Sequence, residues 1–290
     1  QWSGKTGRIL ARSALFLGVI CLLLSAVAMD CIYLKAFKVR GGYGKWSDAI
    51  YLLAEDYRNQ PDKNYILMDW GFSAQLLVMD SRNHHHIEGF DIILQEEKEI
   101  DKVKAFFPFF INPENLFVFH FPRFTTYPTL QFFQKAVQHF GLSASMQKQI
   151  QQRDGKPIYF SARVLYPELE SYRRRGKELY FLEAENPLAR SGGGKDRKNY
   201  ASNLGALGSF WGRRTTDFST YRWDIKTDIR QSYLGIRYAS GEKNLNYRLQ
   251  IDDRTEIAVE FAGSGGYGDH IEEWKTSVIP LGELKTGEHR

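Results

Sequence analysis

The stretch Glu183-Ala184-Glu185-Asn186 places two carboxylates two positions apart. On a β-strand alternate side chains share a face, so the pair is expected to point the same way. Like charges that close repel unless something positive lies between them. Two solvated glutamates that discourage pairing at a sheet edge are the alternative.

Asp69-Trp70-Gly71 follows the apolar run Tyr65-Ile66-Leu67-Met68, at a strand-to-helix change. Open α/β sheets bind ligands at the carboxyl ends of their strands, which makes Asp69 and Trp70 a candidate ligand crevice. A helix cap at Asp69 is the plainer reading. His84-His85-His86 has the residue type for a metal, yet no Cys or acidic cluster accompanies it, and a surface turn is expected there.

Other patterns fail on context. Gly263-Ser264-Gly265-Gly266-Tyr267-Gly268 satisfies G-x-G-x-x-G, but no βαβ unit surrounds it. Ser191-Gly192-Gly193-Gly194-Lys195 lacks the spacing and the Ser/Thr of a phosphate-binding loop. No Ser/His/Asp set has a local signature, and a glycosidase carboxylate pair cannot be chosen without distances.

The chain has 290 residues, enough for two domains and a remainder, and a net charge of +5. Its cations are scattered rather than gathered into a stripe, which argues against nucleic acid as a partner. Ser13 to Met29 carries no charge, and Ile32-Tyr33-Leu34 extends it, so residues 13–34 read as a transmembrane helix preceded by a basic segment, 1–12. Ala26-Val27-Ala28 offers a rival signal-peptide reading, against which stand the apolar continuation and the absence of an initial Met. Flanking cations (Lys5, Arg8 and Arg12 before; Lys35, Lys38 and Arg40 after) do not set orientation. In both readings the chain after residue 35 is expected to face away from the cytoplasm, and the transmembrane reading places it at the cell membrane. Cys21 and Cys31 lie about 15 Å apart along such a helix, too far for a disulfide. Because the chain opens on Gln1 and stops in mid-pattern at Arg290, we expect it to be part of a longer protein.

Residues 35–166 alternate helical and strand patterns. Trp46, Ile50, Leu53 and Tyr57 recur at helical spacing, as do Phe72 to Met79, a charged stretch over 96–107, and Leu130, Phe133, Val137 and Phe140 up to Gly141. Tyr65 to Met68, Leu116 to His120 and Pro157 to Leu165 read as strands, which predicts a small α/β layer with parallel pairing. Residues 167–179 read as a linker. From 180 to 290 short alternating runs with Gly, Asn and Asp between them predict an antiparallel β-sandwich. The expected fold is therefore multi-domain: one membrane helix, a small α/β domain and an all-β sandwich.

Two family resemblances attach to these segments. The apolar helix followed by WSDAIYLLAEDY and YILMDWGFSAQLLVM resembles the end of a bacterial C-type membrane glycosyltransferase of the protein O-mannosyltransferase and aminoarabinose-transferase kind. That implies a polyprenyl-phosphate sugar as partner and a catalytic acid upstream of Gln1, with no catalytic residue here; whether this chain is itself an enzyme stays open. Residues 180–290 resemble carbohydrate-binding modules of families 6 and 35, jelly-roll sandwiches that bind glycans. The matching pieces are Glu183 to Asn186, Tyr200 to Gly205, Tyr221 to Ile225, Tyr233 to Ala239, Ile251-Asp252-Asp253, Gly265-Gly266-Tyr267 with Trp274, and Leu284 to His289. The resemblance implies a structural calcium on Glu183 and Glu185, completed by an acidic residue on a last strand that this chain lacks. It implies glycan-binding loops that include Tyr267, Trp274 and His289, with Tyr200 and Asn203 at the same end. Tyr267, among glycines, is the expected stacking platform; Trp274 is as readily core, and His289 stands where the family has Asn. The overall expectation is a glycan-holding part of a membrane glycosyltransferase. Its rival is a non-catalytic surface protein displaying the module on a membrane anchor.

Overall fold

A computed structural model describes residues 3–61, 63–79, 86–166, 177, 179–252 and 256–290. His84 and His85, Asp253 and nearly all of the expected linker lie outside them.

The first element, α1 (Ser3–Arg40), is a single helix. Residues 12–40 are apolar enough, by length and composition, to cross a membrane, and none of that segment is buried against protein. A short hairpin follows, β1 (Gly42–Tyr43) with β2 (Trp46–Ser47), and then α2 (Ala49–Asn59). Trp46, expected on the helix, instead sits exposed on β2.

A five-stranded sheet forms the centre of this domain. Its strands are β3 (Asn64–Leu67), β4 (His86–Glu88), β5 (Asn115–His120), β6 (Ser143–Gln151) and β7 (Pro157–Leu165), in the order β4-β3-β5-β7-β6. Pairing is parallel among β4, β3 and β5 and antiparallel through β7 and β6. The expected parallel pairing holds for β4, β3 and β5, and two antiparallel strands make the sheet mixed. The hairpin turn at Asp154-Gly155, with Gly155 at φ 83°, lets the last two strands pair directly.

β5 (NLFVFH) is buried along its whole length, as a central strand covered on both faces must be. Leu116 and Val118 pack with Leu53, Tyr57 and Leu76 from α2 and α3 (Ser73–Met79). Phe117 and Phe119 point the other way, into Phe106, Phe110 and Phe133. Phe106 immediately precedes α6 (Phe107–Ile111), Phe110 lies on it and Phe133 lies on α7 (Thr129–His139); with Ile93 of α4 (Gly89–Leu94) and Val103 of α5 (Glu99–Lys104) they cover the second face. The expected continuous helix over 96–107 is broken because Pro108 opens α6 and cannot continue a preceding helix. Gly141, at φ 64°, ends α7.

From residue 179 on, all regular structure among the described residues is β apart from two 3₁₀ turns. The strands are β8 (Ala189–Ser191), β9 (Gly194–Arg197), β10 (Gly205–Gly208), β11 (Phe218–Thr220), β12 (Trp223–Ile225), β13 (Ile229–Tyr238), β14 (Asn244–Leu249), β15 (Ile257–Ala262), β16 (Lys275–Leu284) and β17 (Gly287–His289). They form separate antiparallel pairs, β8 with β11, β9 with β10, β12 with β17, β13 with β16 and β14 with β15. Leu234, Ile236 and Ile279 of the β13/β16 ladder share one apolar cluster with Leu245, Val259 and Phe261 of the β14/β15 ladder. Two ladders therefore face each other across a common layer, while the continuous sheets of a jelly roll are not formed among the described residues. The expected first strand is absent: Ala184 and Glu185 lie in a turn, closed by the Asn186 N–H donating to the Glu183 carbonyl at 3.1 Å.

Candidate functional site

Because residues 183–186 turn rather than extend, Glu183 and Glu185 do not share a strand face. Glu183 Oε1 accepts hydrogen bonds from Asn112 Nδ2 (2.7 Å), Ser202 Oγ (2.8 Å) and Asn203 Nδ2 (2.9 Å). Asn112 belongs to the α/β domain, as does Asn115, whose Nδ2 donates to Asn203 Oδ1 at 2.7 Å. The glutamate thus sits at the junction of the two parts. Burial, then the charge of Glu185, push its pKa above the usual carboxylate range against the pull of the three donors.

Glu185 is buried beneath Gly205, where an added Cβ would come within 2.1 Å of Oε1. Its Oε1 lies 3.6 Å from Lys195 Nζ, and its Oε2 is buried with no hydrogen-bond partner. An orphaned carboxylate oxygen beside a second carboxylate suits an oxygen-seeking cation. Among the described residues no three His, Cys, Asp or Glu side chains gather into a metal-holding group. The rest of a coordination shell would have to come from amide, hydroxyl or backbone oxygens.

The expected sugar-binding residues are distributed over four places. Tyr267 is 61% exposed, and its hydroxyl donates to Glu242 Oε1 at 3.2 Å while its ring rests against Gly241. Glu273 stiffens the loop that carries it: Oε2 accepts the N–H groups of Gly268 and Asp269, each at 2.8 Å. Burial acts to raise the pKa of Glu273, but these backbone donors outweigh it and hold the carboxyl below its usual range.

Trp274 and Tyr200 come together elsewhere. The Arg237 guanidinium lies 4.4 Å from the Trp274 ring centre, and its Nη1 donates to the Tyr200 carbonyl at 2.6 Å. Trp274 Nε1 donates to the Gly268 carbonyl. One face of the indole is therefore already occupied by a cation. Asn203, at φ 47°, belongs to the junction around Glu183.

His289 is buried on β17, with Nδ1 2.9 Å from Asp252 Oδ2 and Nε2 2.7 Å from the Lys285 carbonyl. Both ring nitrogens are engaged inside the protein, which leaves the ring in a structural position.

Asp69 and His120 extend from the carboxyl ends of the adjacent parallel strands β3 and β5, with Asp69 Oδ2 3.1 Å from His120 Nδ1. Asp69 also accepts the N–H of Trp70 (2.8 Å) and of Thr126 (2.9 Å). Burial alone would raise its pKa, but His120 and these donors bring it below the usual value. Both side chains are almost fully buried, so Asp69 clamps two loops, while Trp70 is 51% exposed.

Sequence reading missed Asn112, Asn115 and Arg237, which nothing local marks. It also missed Phe210, 71% exposed at φ 72°, a conformation rare for a bulky side chain. Its ring carries the Arg213 guanidinium at 4.2 Å.

No protein-family profile matches the chain, and no curated protein matches it. Among solved structures, part of the chain is similar to a CBM35 from Cellvibrio japonicus Abf62 at 21% identity, with a TM-score of 0.25. The match covers 37% of this chain and 65% of that one.

Proposed function

We propose that residues 180–290 hold glycan beside a membrane, on a chain anchored by α1 that serves a polyprenyl-phosphate-sugar-dependent glycosyltransferase outside the cytoplasm. The observation that carries the glycan reading is Tyr267: an exposed aromatic face on a loop braced by Glu242 and Glu273, as stacking against sugar C–H bonds requires. The anchoring rests on the length and apolarity of α1. The transferase part rests on the ordered resemblance of the span and the segment after it to the end of such enzymes, and no residue of this chain is assigned to catalysis.

Calcium is part of the same reading. Glu183 and Glu185 would hold it, helped by side-chain oxygens of Ser202 and Asn203. The ion would neutralise two nearby carboxylates and give the buried Glu185 Oε2 a partner.

A glycan array probed with the full chain and with Tyr267→Ala tests the binding claim. Loss of signal in the variant supports it, and unchanged binding removes Tyr267 from the site. Further apolar spans encoded upstream in the same reading frame would support the transferase; a start codon just ahead of Gln1 would remove it.

A further inference from the structure

The junction between α1 and the α/β domain is not a loose tether. Gly41 N–H donates to the Phe37 carbonyl at 2.8 Å, and Asp48 N–H donates to the Gly41 carbonyl at 2.6 Å. From the distant β6–β7 turn, Arg153 donates Nη1 to the Lys38 carbonyl at 2.6 Å while its Nε pairs with Asp48 at 3.2 Å. The helix end is thus held to the domain at two points far apart in sequence.

Beside that junction lies an exposed aromatic and basic surface. Trp46, six positions after Arg40, is 68% exposed, and Trp70 is 51% exposed. Lys45 joins them: its Nζ lies 5.5 Å from the Trp70 ring centre and bonds Thr126 Oγ1. Asp69 holds the same two loops from beneath through Trp70 N–H and Thr126 N–H. Arg123, 4.6 Å from the Phe124 ring centre, is exposed, as are Lys38 and Arg40. The nearby acids Asp48 and Asp154 are already paired with Arg153 and Lys156. Indole rings flanked by cations, next to a spanning helix, have the chemistry of a membrane–water boundary.

We propose that this end of the α/β domain rests on the bilayer that α1 enters, with Trp46 and Trp70 at headgroup level and Lys38, Lys45 and Arg123 against anionic lipid. The domain then lies against the membrane in one orientation and does not swing about residue 41. The buried Asp69–His120 pair acts as a positioning element that sets Trp70 beside Lys45. This inference rests on the reading of α1 as a span and goes beyond it in naming a second, peripheral contact.

The test reconstitutes the full chain, in a Trp2→Phe background, into vesicles of equal parts phosphatidylcholine and phosphatidylglycerol with brominated acyl chains. Retention in the vesicle pellet after alkaline carbonate reports on the span alone; release would overturn the spanning reading. Tryptophan quenching by the brominated lipid reports on the platform. Most of it should disappear in Trp46→Phe/Trp70→Phe, whose thermal melt stays unchanged because both rings are exposed, and persist in Trp211→Phe/Trp223→Phe. Quenching should also weaken in pure phosphatidylcholine and in Lys45→Glu/Arg123→Glu, and free inorganic phosphate should not compete. Retention in the pellet with quenching indifferent to Trp46 and Trp70 would overturn the platform while leaving the span intact. Quenching indifferent to headgroup charge would overturn the role given to the cations.

Discussion

Asn112 on the α/β side donates to Glu183 on the β side at 2.7 Å across 71 positions of sequence, and that bond ties the two parts of the molecule together. The glutamate reaches into the neighbouring domain, where it is partly shielded from water and close to a second carboxylate.

Glu183 therefore sets a pH dependence with a definite sign. Its folded-state pKa is raised, so its contribution is fully present below the unfolded value and is lost as pH rises through the folded one. In chelator, the melting temperature of the wild type should fall as pH climbs through that window, and Glu183→Gln should flatten the fall. Added calcium should reverse it for the wild type and do nothing for Glu183→Gln or Glu185→Gln. A calcium shift that survives both substitutions would remove the metal from this pair.

Asp69→Ala strips the acceptor from Trp70 N–H, Thr126 N–H and His120 together, all in a nearly dry setting. The expected loss is about 3 kcal/mol in denaturant unfolding. The Asp69 pKa is depressed, so its contribution is present above the unfolded value and disappears as pH falls through the folded one. The variant should accordingly lose part of the acid-side slope of stability.

Three aromatics separate binding from packing. Tyr267→Ala should weaken glycan binding roughly tenfold, about 1.4 kcal/mol, without changing the melt, because the ring is exposed. Trp274→Ala should lower the melting temperature first, since its ring packs under Arg237 and bonds the Gly268 carbonyl. If Phe210→Ala abolishes binding and Tyr267→Ala does not, the platform belongs at the strained Phe210 turn. Titration calorimetry with array-positive glycans distinguishes these outcomes.

Gly41→Ala should loosen the helix–domain junction. The position has φ +86°, and an added Cβ would lie 2.0 Å from Asp48 Oδ1, displacing the carboxylate that pairs with Arg153. A stability loss above about 1 kcal/mol is expected, with faster amide exchange confined to residues 41–48.

Strong apolar runs announced much of this architecture. Tyr65 to Met68, Leu116 to His120 and Pro157 to Leu165 form strands or adjoin them because continuous burial on two faces leaves a nearly unbroken apolar signature. β6 escaped notice for the opposite reason: SASMQKQIQ is an edge strand with mostly exposed side chains, so no apolar period marks it. The charged stretch over 96–107 looked like one helix because its composition favours helix, and only Pro108 decides where α6 restarts.

Local composition was enough to specify a long apolar helix, an α/β layer and a run of short β-strands, since each depends on neighbours within a few positions. What became of the paired glutamates was settled by the packing of distant segments. A turn at Ala184 replaces the shared strand face, Asn112 captures Glu183 from another domain, and Gly205 makes room for Glu185. His289 is the same lesson in reverse: a residue expected in a binding loop was drawn inward by Asp252 and the Lys285 carbonyl. Hydrogen bonds between groups dozens of positions apart leave no periodic trace along the chain, so only the three-dimensional arrangement could assign those side chains their places.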